Sequence, residues 1–138
     1  MDISNLIKAD EELNVIDTGA WVGDFEEAPN VKFLVRGMKS EQVQSIFSAK
    51  QIAQRKKNRG KPLTDKQTER VMLEAIVEGA LIDWSGLKDN GKDVPYSREL
   101  AEKWILSRGG EKLAEMVLDA ALRLDASTSD YISDVKKS

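Results

Sequence analysis

The spacing of apolar residues divides the chain into a short N-terminal region with strand character and a longer helical region. Apolar residues cluster at positions 13–16, 21–25 and 31–36, and in the last cluster they include every second position. A period of two is typical of a half-buried strand. We therefore predict two or three antiparallel strands within residues 13–38, with residues 26–30 as the hairpin loop. One face of this sheet should rest on helices, because two strands alone are marginally stable in water.

Helical spacing predicts the next two elements. Ser40 is a suitable N-cap for a helix whose apolar stripe extends over residues 43–53 and which ends in a basic run. Thr64 and Gln67 have the spacing of a capping box. The helix that they begin is expected to continue to about Asp83 and is apolar on nearly all sides. Such a helix belongs in the core or faces a partner on one side.

Two more helices complete the predicted fold. Ser97 can cap a short helix that the glycines at 109–110 end, and residues 113–124 carry apolar side chains at steps of three and four. The predicted fold class is α+β and helix-dominated, with an N-terminal β-hairpin or small antiparallel sheet followed by about four α-helices.

The predicted organisation is one domain with two short extensions. Residues 13–125 are expected to form the single α+β domain. Residues 1–12 are interpreted as a flexible N-terminal arm, with Ser4 as a cap for a short turn as the alternative, and residues 126–138 as a polar C-terminal tail.

The segment DWSGLKDNGKDVPYS, residues 83–97, separates the second and third predicted helices. Its acidic residues fail the spacing of an EF-hand calcium loop, which needs oxygen ligands at positions one, three and five and Gly at position six. A turn explains the segment better, with a left-handed helix stop, an Asn-Gly turn and a proline-limited extension. The residues assigned to this turn are Gly86, Asn90, Gly91 and Pro95. Trp84 and Tyr96 are predicted to anchor the turn on the core, with direct partner contact as the alternative.

Composition argues against several classes of function. The chain has 138 residues, a net charge of −3 and neither His nor Cys, so zinc or copper sites and thiolate chemistry are not expected. The carboxylate pairs at 26–27 and at 74 and 78 lack a nucleophile or phosphate cradle beside them and are interpreted as solvated surface. We expect a non-enzymatic protein without a cofactor or a metal. No apolar run is long enough to span a bilayer, and the acidic N-terminus does not resemble a secretory signal, so a cytosolic location is expected.

A basic run at residues 55–61 is the most concentrated charge in the sequence. It is interpreted either as a solubilising helix end or as a surface for nucleic acid or an acidic partner. No aromatic residues interleave with it, and the acidic net charge also argues against nucleic acid as the main partner. The candidate partner-binding residues are Trp21, Phe25, Arg55, Lys56, Lys57, Arg59, Trp84 and Tyr96.

The order of these motifs resembles the tail assembly chaperones of long-tailed, siphophage-type bacteriophages. A hairpin ends in the basic strand at 31–36, and after one helix a long helix leads into the Asp-Trp-Ser-Gly of residues 83–86. The Asn-Gly at 90–91 and the Val-Pro-Tyr-Ser at 94–97 follow, before a short helix. The resemblance covers approximately residues 13–125.

The resemblance implies a non-enzymatic protein of the host cytoplasm that is absent from the mature virion. Proteins of that kind bind the long helical tape measure protein, keep it soluble and help to recruit tail tube protein around it. The resemblance also implies a homo-oligomer with no membrane association. A small regulatory protein that binds nucleic acid through residues 55–61 is the alternative function.

Overall fold

The computed structural model describes residues 2–3 and 6–132 and confirms a helix-dominated α+β fold with a small antiparallel sheet. The elements in chain order are α1 (Asp10–Thr18), β1 (Ala20–Val22), β2 (Lys32–Val35), α2 (Glu41–Lys57), α3 (Asp65–Ala75), a π-helical segment (Ile76–Ala80), β3 (Leu81–Ser85), β4 (Lys88–Asp89), β5 (Lys92–Asp93), α4 (Arg98–Ile105), a 3₁₀ turn (Arg108–Gly110) and α5 (Glu111–Ala126).

The main sheet has three antiparallel strands in the order β1-β2-β3. The prediction of antiparallel strands within residues 13–38 is confirmed by β1 and β2, which lie on either side of residues 26–30 and pair with Val22 opposite Phe33. Phe33 and Val35 of the central strand are fully buried, whereas Lys32 is exposed, as the alternation of apolar and polar positions predicted. The third strand is β3, from much later in the chain.

Residues 13–18, the start of the region predicted to form strands, belong to helix α1 instead, so the strand region began too early. Three acidic residues in the first turn of α1 suit the positive end of the helix dipole. Only Val15 and Ile16 are buried, and a short helix can place two adjacent side chains on one inward face. Gly19, with φ of +99°, ends the helix and leads directly into β1.

The predicted long helix from Thr64 to about Asp83 is also wrong in its second half. Helix α3 ends at Ala75, continues for one π-helical segment and then becomes strand β3. Residues 71–82 are apolar on nearly all sides, and such a run suits a buried strand as well as a buried helix. The open edge of β2 decides between them, because β3 pairs with it from Leu81 to Ser85.

Three helix starts follow the predicted caps. The Ser40 and Ser97 side chains each accept a hydrogen bond from the backbone N–H three residues later. Thr64 and Gln67 form the complete capping box. In contrast, the apolar stripe of α2 is only partly covered. Val43 is its one buried residue among those described, and Ile52 is 56% exposed.

The core lies between the main sheet, the π-helical segment and α5. Its centre contains fully buried side chains from each of these elements, including Phe33, Val77, Val117 and Leu124. These elements are distant in sequence, so the packing depends on the complete fold.

The segment before α1 contacts the C-terminal end of α5. Lys8 donates a hydrogen bond to the Asp125 carbonyl at 2.9 Å, and Thr128 is buried. Ser4 and residues 133–138 lie outside the described residues, and the predicted domain limits stay predictions.

Candidate partner-binding site

The segment 83–97 is held on the core by aromatic contacts. Trp84 is 4% exposed, its indole N–H donates to the Val94 carbonyl at 2.8 Å, and its ring stacks on Trp104. The half-buried Tyr96 ring meets Trp84 edge-on, with centroids 5.0 Å apart. Trp84 therefore anchors the segment from inside and offers almost no surface to a partner.

The turn residues occupy two different structures. Asn90 and Gly91, with φ of +51° and +81°, form the two-residue turn of the β4–β5 hairpin. Gly86 also has positive φ, at +82°, but it follows strand β3, so its assignment as a helix stop is wrong. Pro95 lies in the exposed connection before Ser97.

Trp21 and Phe25 are close in sequence but differ in exposure. Trp21 points outward from β1 and is 41% exposed. Phe25 is buried, packs edge-on against Phe33 and lies under the guanidinium of Arg123 at 4.7 Å. Its burial removes Phe25 from the residues that can contact a partner directly, whereas Trp21 keeps an accessible ring.

The basic run lies at the tip of the hairpin formed by α2 and α3. Arg55, Lys56, Lys57, Arg59 and Lys61 are all exposed. None of them forms an ion pair with a described residue. Asn58 exchanges side-chain hydrogen bonds with Gln67 below the tip, which fixes the connection between the two helices. The tip therefore presents a concentrated positive charge on an ordered turn.

The carboxylates at positions 74 and 78 have a structural partner. Lys50 of α2 contacts Glu78 at 2.8 Å and Glu74 at 2.9 Å, which ties α2 to α3 and to the π-helical segment. These hydrogen bonds, first that to Glu78, raise the pKa of Lys50 above its usual range. Glu27 lies 3.4 Å from Lys112, and its own backbone N–H is the main cause that lowers its pKa. The Lys50 cluster therefore holds elements together, whereas Glu26 and Glu27 are exposed, as the interpretation of residues 26–27 as solvated surface expected.

A groove of about 710 Å³ lies between α3, the end of α4 and the first half of α5. Apolar side chains from all three helices form its floor. They are Met72, Leu73, Ile76, Ile105, Leu106, Ala114 and Leu118. The apolar character of residues 71–82 signalled a core or partner-facing helix, but only the fold brings the other walls beside it.

Charged side chains form the rim of the groove. Lys66, Glu69 and Arg70 line the α3 wall, and Arg108, Glu111 and Glu115 line the opposite wall, at the start of α5. Arg70 reaches across to the Leu106 carbonyl at 3.3 Å and also pairs with Glu74 of its own helix. At 1.5 Å of rise per residue, the α3 wall from residue 66 to residue 76 is about 15 Å long. The groove is thus elongated, with an apolar floor and a polar rim.

The described part of the chain has neither a metal-binding cluster nor a membrane-spanning helix. Residues 2–3 and 6–132 contain no cluster of Asp and Glu that could hold a metal ion. No helix within these residues is both long and apolar enough to cross a membrane.

Comparison with known proteins identifies a family. A family model described as YdaY prophage protein matches residues 38–138, more than half of the chain. The chain belongs to this family. The YdaY match indicates a phage-derived protein and includes α2 to α5, and therefore every residue that lines the groove. No curated protein and no solved structure matches the chain.

Proposed function

We propose that this prophage protein is a tail assembly chaperone. It binds the tape measure protein, keeps that protein soluble and assists tail tube assembly in the host cytoplasm without entering the mature virion. It acts by binding and carries no catalytic activity. The apolar groove between α3, α4 and α5 is the observation that supports this proposal most directly.

The shape and lining of the groove suit a helix. An amphipathic helix binds by placing apolar side chains from successive turns into an apolar groove. A wall of about 15 Å accommodates two to three helical turns at 5.4 Å each. The tape measure protein implied by the sequence resemblance is long and helical, so it can supply such a segment. The rim remains available for polar contacts that hold the helix in register.

The first experiment co-expresses the chain with the tape measure protein of the same prophage and measures the soluble yield and co-purification of that partner. The proposal expects both to rise. The absence of co-purification with the intact chain would refute it.

A matched pair of variants tests whether the groove is the site. Leu118→Gln changes the groove floor, whereas Leu122→Gln changes an exposed leucine one turn further along α5. Burial of one leucine side chain contributes about 1.5–3 kcal/mol, so Leu118→Gln should weaken binding at least tenfold. Leu122→Gln should bind as the parent does. Equal affinities for the two variants, with both folded by circular dichroism, would place the site elsewhere.

Binding of nucleic acid through the α2–α3 tip is the second candidate function. Its support is the exposed basic run at 55–61, which has no ion-pair partner among the described residues. This function predicts an affinity that falls steeply with salt and falls further in Lys56→Ala/Lys57→Ala. If the protein did not change the electrophoretic mobility of DNA or RNA at low salt, this function would be excluded.

A further inference from the structure

The two long walls of the groove carry opposite net charges. On the α3 wall, Lys66 and Arg70 outnumber Glu69, which gives two positive charges and one negative, a net of +1. On the opposite wall, Glu111 and Glu115 of α5 outnumber Arg108 of the preceding 3₁₀ turn, which gives two negative charges and one positive, a net of −1. On each wall the like-charged pair is four residues apart, so both members lie on the same face of their helix.

We propose that these opposite walls fix the direction in which a partner helix lies in the groove. The occupant is an amphipathic helix of two to three turns, with an apolar stripe, acidic residues on one flank and basic residues on the other. Its acidic flank faces α3 and its basic flank faces α5. The inference deepens the proposed function and rests on it, since it assigns a chemical pattern to the segment that the chaperone binds.

Geometry explains why charge sets direction. When a helix lying in a groove is turned end for end with its apolar stripe still on the floor, its two flanks exchange sides. One direction then pairs both flanks with opposite charges, and the other places like charges together. A groove with walls of one sign would pair equally well in both directions. A helix with acidic residues on one flank and basic residues on the other therefore has one favoured direction in this groove.

Each ion pair between the rim and the bound helix should favour one direction only slightly, but the pairs together should give a measurable preference. Exposed ion pairs are individually weak and screened by salt. The opposite net charges of the two walls, +1 and −1, should together favour one direction roughly three- to tenfold at low salt. The preference should shrink as salt is added, whereas binding through the apolar floor should persist.

Synthetic helical peptides provide the test. Two peptides share the same leucine stripe and differ only in which flank carries Glu and which carries Lys, and each has a nitroxide at its N-terminus. NMR relaxation of the labelled protein reports which end of α3 the nitroxide approaches. The proposal expects the two peptides to lie in opposite directions. Peptides with Glu on both flanks or Lys on both flanks should bind severalfold more weakly.

Exchange of the wall charges provides the control on the protein side. The variant Lys66→Glu/Arg70→Glu/Glu111→Lys/Glu115→Lys keeps the net charge and should reverse the direction of a given peptide. A matched exchange in the β4–β5 hairpin, outside the groove, should leave the direction unchanged. Its substitutions are Lys88→Asp, Asp89→Lys, Lys92→Asp and Asp93→Lys.

The outcomes separate the two proposals. Peptides that bind in one direction regardless of flank pattern, or in both equally, overturn the charge inference while the chaperone function stands. Peptides that fail to bind at all, together with a tape measure protein that does not co-purify, overturn both. Reversal of direction by the wall exchange, without reversal by the hairpin exchange, supports the inference.

Discussion

Gly86 offers a direct test of how strand β3 meets the loop before β2. Its φ is +82°, and a Cβ atom built on it would overlap the Asn30 carbonyl, with the Asn30 carbon only 2.8 Å away. Gly91 has nearly the same φ, +81°, but nothing lies within 4 Å of its Cβ position. Alanine at these two positions therefore imposes the same backbone cost in two different surroundings.

The expected loss of stability is the sum of a backbone cost, which both glycine positions share, and a contact cost, which only Gly86 has. A non-glycine residue in the left-handed region costs about 1–2 kcal/mol, and this is the whole cost expected for Gly91→Ala. At Gly86 the Asn30 carbonyl must also move by about 1 Å to reach ordinary contact distance from a Cβ atom. Overpacking of this kind costs about 1–3 kcal/mol. The free energy of unfolding should thus fall by about 3 kcal/mol in Gly86→Ala, roughly twice the loss in Gly91→Ala.

Urea unfolding followed by far-ultraviolet circular dichroism measures the difference. Fluorescence is less suitable, because Trp84 lies two residues from the mutation. Equal m-values would show that the variants expose the same surface on unfolding. Gly60→Ala serves as a second control, since φ is +85° and its Cβ position is also open.

A Gly86→Ala variant that loses only about 1–2 kcal/mol, as Gly91→Ala does, would refute the reasoning. It would show that Asn30 does not approach position 86 closely, and that β3 does not occupy the edge of β2 as described. If both variants lose about 3 kcal/mol, the backbone conformation, and not the contact with Asn30, determines the cost.

Two further predictions concern buried polar groups. Trp84→Phe should lower the free energy of unfolding by about 1–3 kcal/mol in urea titrations, because the Val94 carbonyl loses its hydrogen-bond donor. The control Trp21→Phe, on the exposed side of β1, should change the free energy of unfolding by less than about 0.5 kcal/mol. Burial raises the pKa of Asp125 above the usual 3.8, against the lowering effect of hydrogen bonds from the Lys39 and Met38 backbone N–H groups. A raised pKa in the folded state means that the native protein binds the proton more tightly than the unfolded chain does. The protonated carboxyl of Asp125 therefore contributes its full stabilisation below pH 3.8, and this stabilisation is lost as the pH rises through the folded pKa. Urea titrations across that window should show the parent losing stability relative to Asp125→Asn as the pH rises, and the opposite slope would mean that the two N–H bonds outweigh burial.

Local signals in the sequence predicted the features whose partners are close in the chain. Ser40, Thr64 and Ser97 cap helices by bonding to groups three residues away, so the sequence contains both halves of each interaction. The same holds for the turn at Asn90 and Gly91, where positive φ is a property of the residues themselves.

Sequence patterns failed where a segment has two acceptable local structures. Residues 13–16 suited a strand by their apolar content but belong to helix α1, and residues 81–85 suited a helix but form β3. In each case, whether the segment forms a helix or a strand depends on the elements that it packs against, which lie elsewhere in the sequence. The Phe25 ring is likewise an exposed aromatic in a loop by sequence, and becomes buried only because Phe33 and Arg123 meet it.

For the candidate site, too, some features can be predicted from the sequence and others depend on the tertiary structure. The sequence by itself determined that residues 71–82 are too apolar for an ordinary surface helix, and that the chain has neither His nor Cys. The tertiary structure alone decided that Leu73 and Leu118 share one groove and that its walls carry opposite charges. Caps and turns are set by energies between neighbours in sequence. A groove is set by the packing of helices whose contacts are separated by some forty residues, and no local pattern specifies that packing.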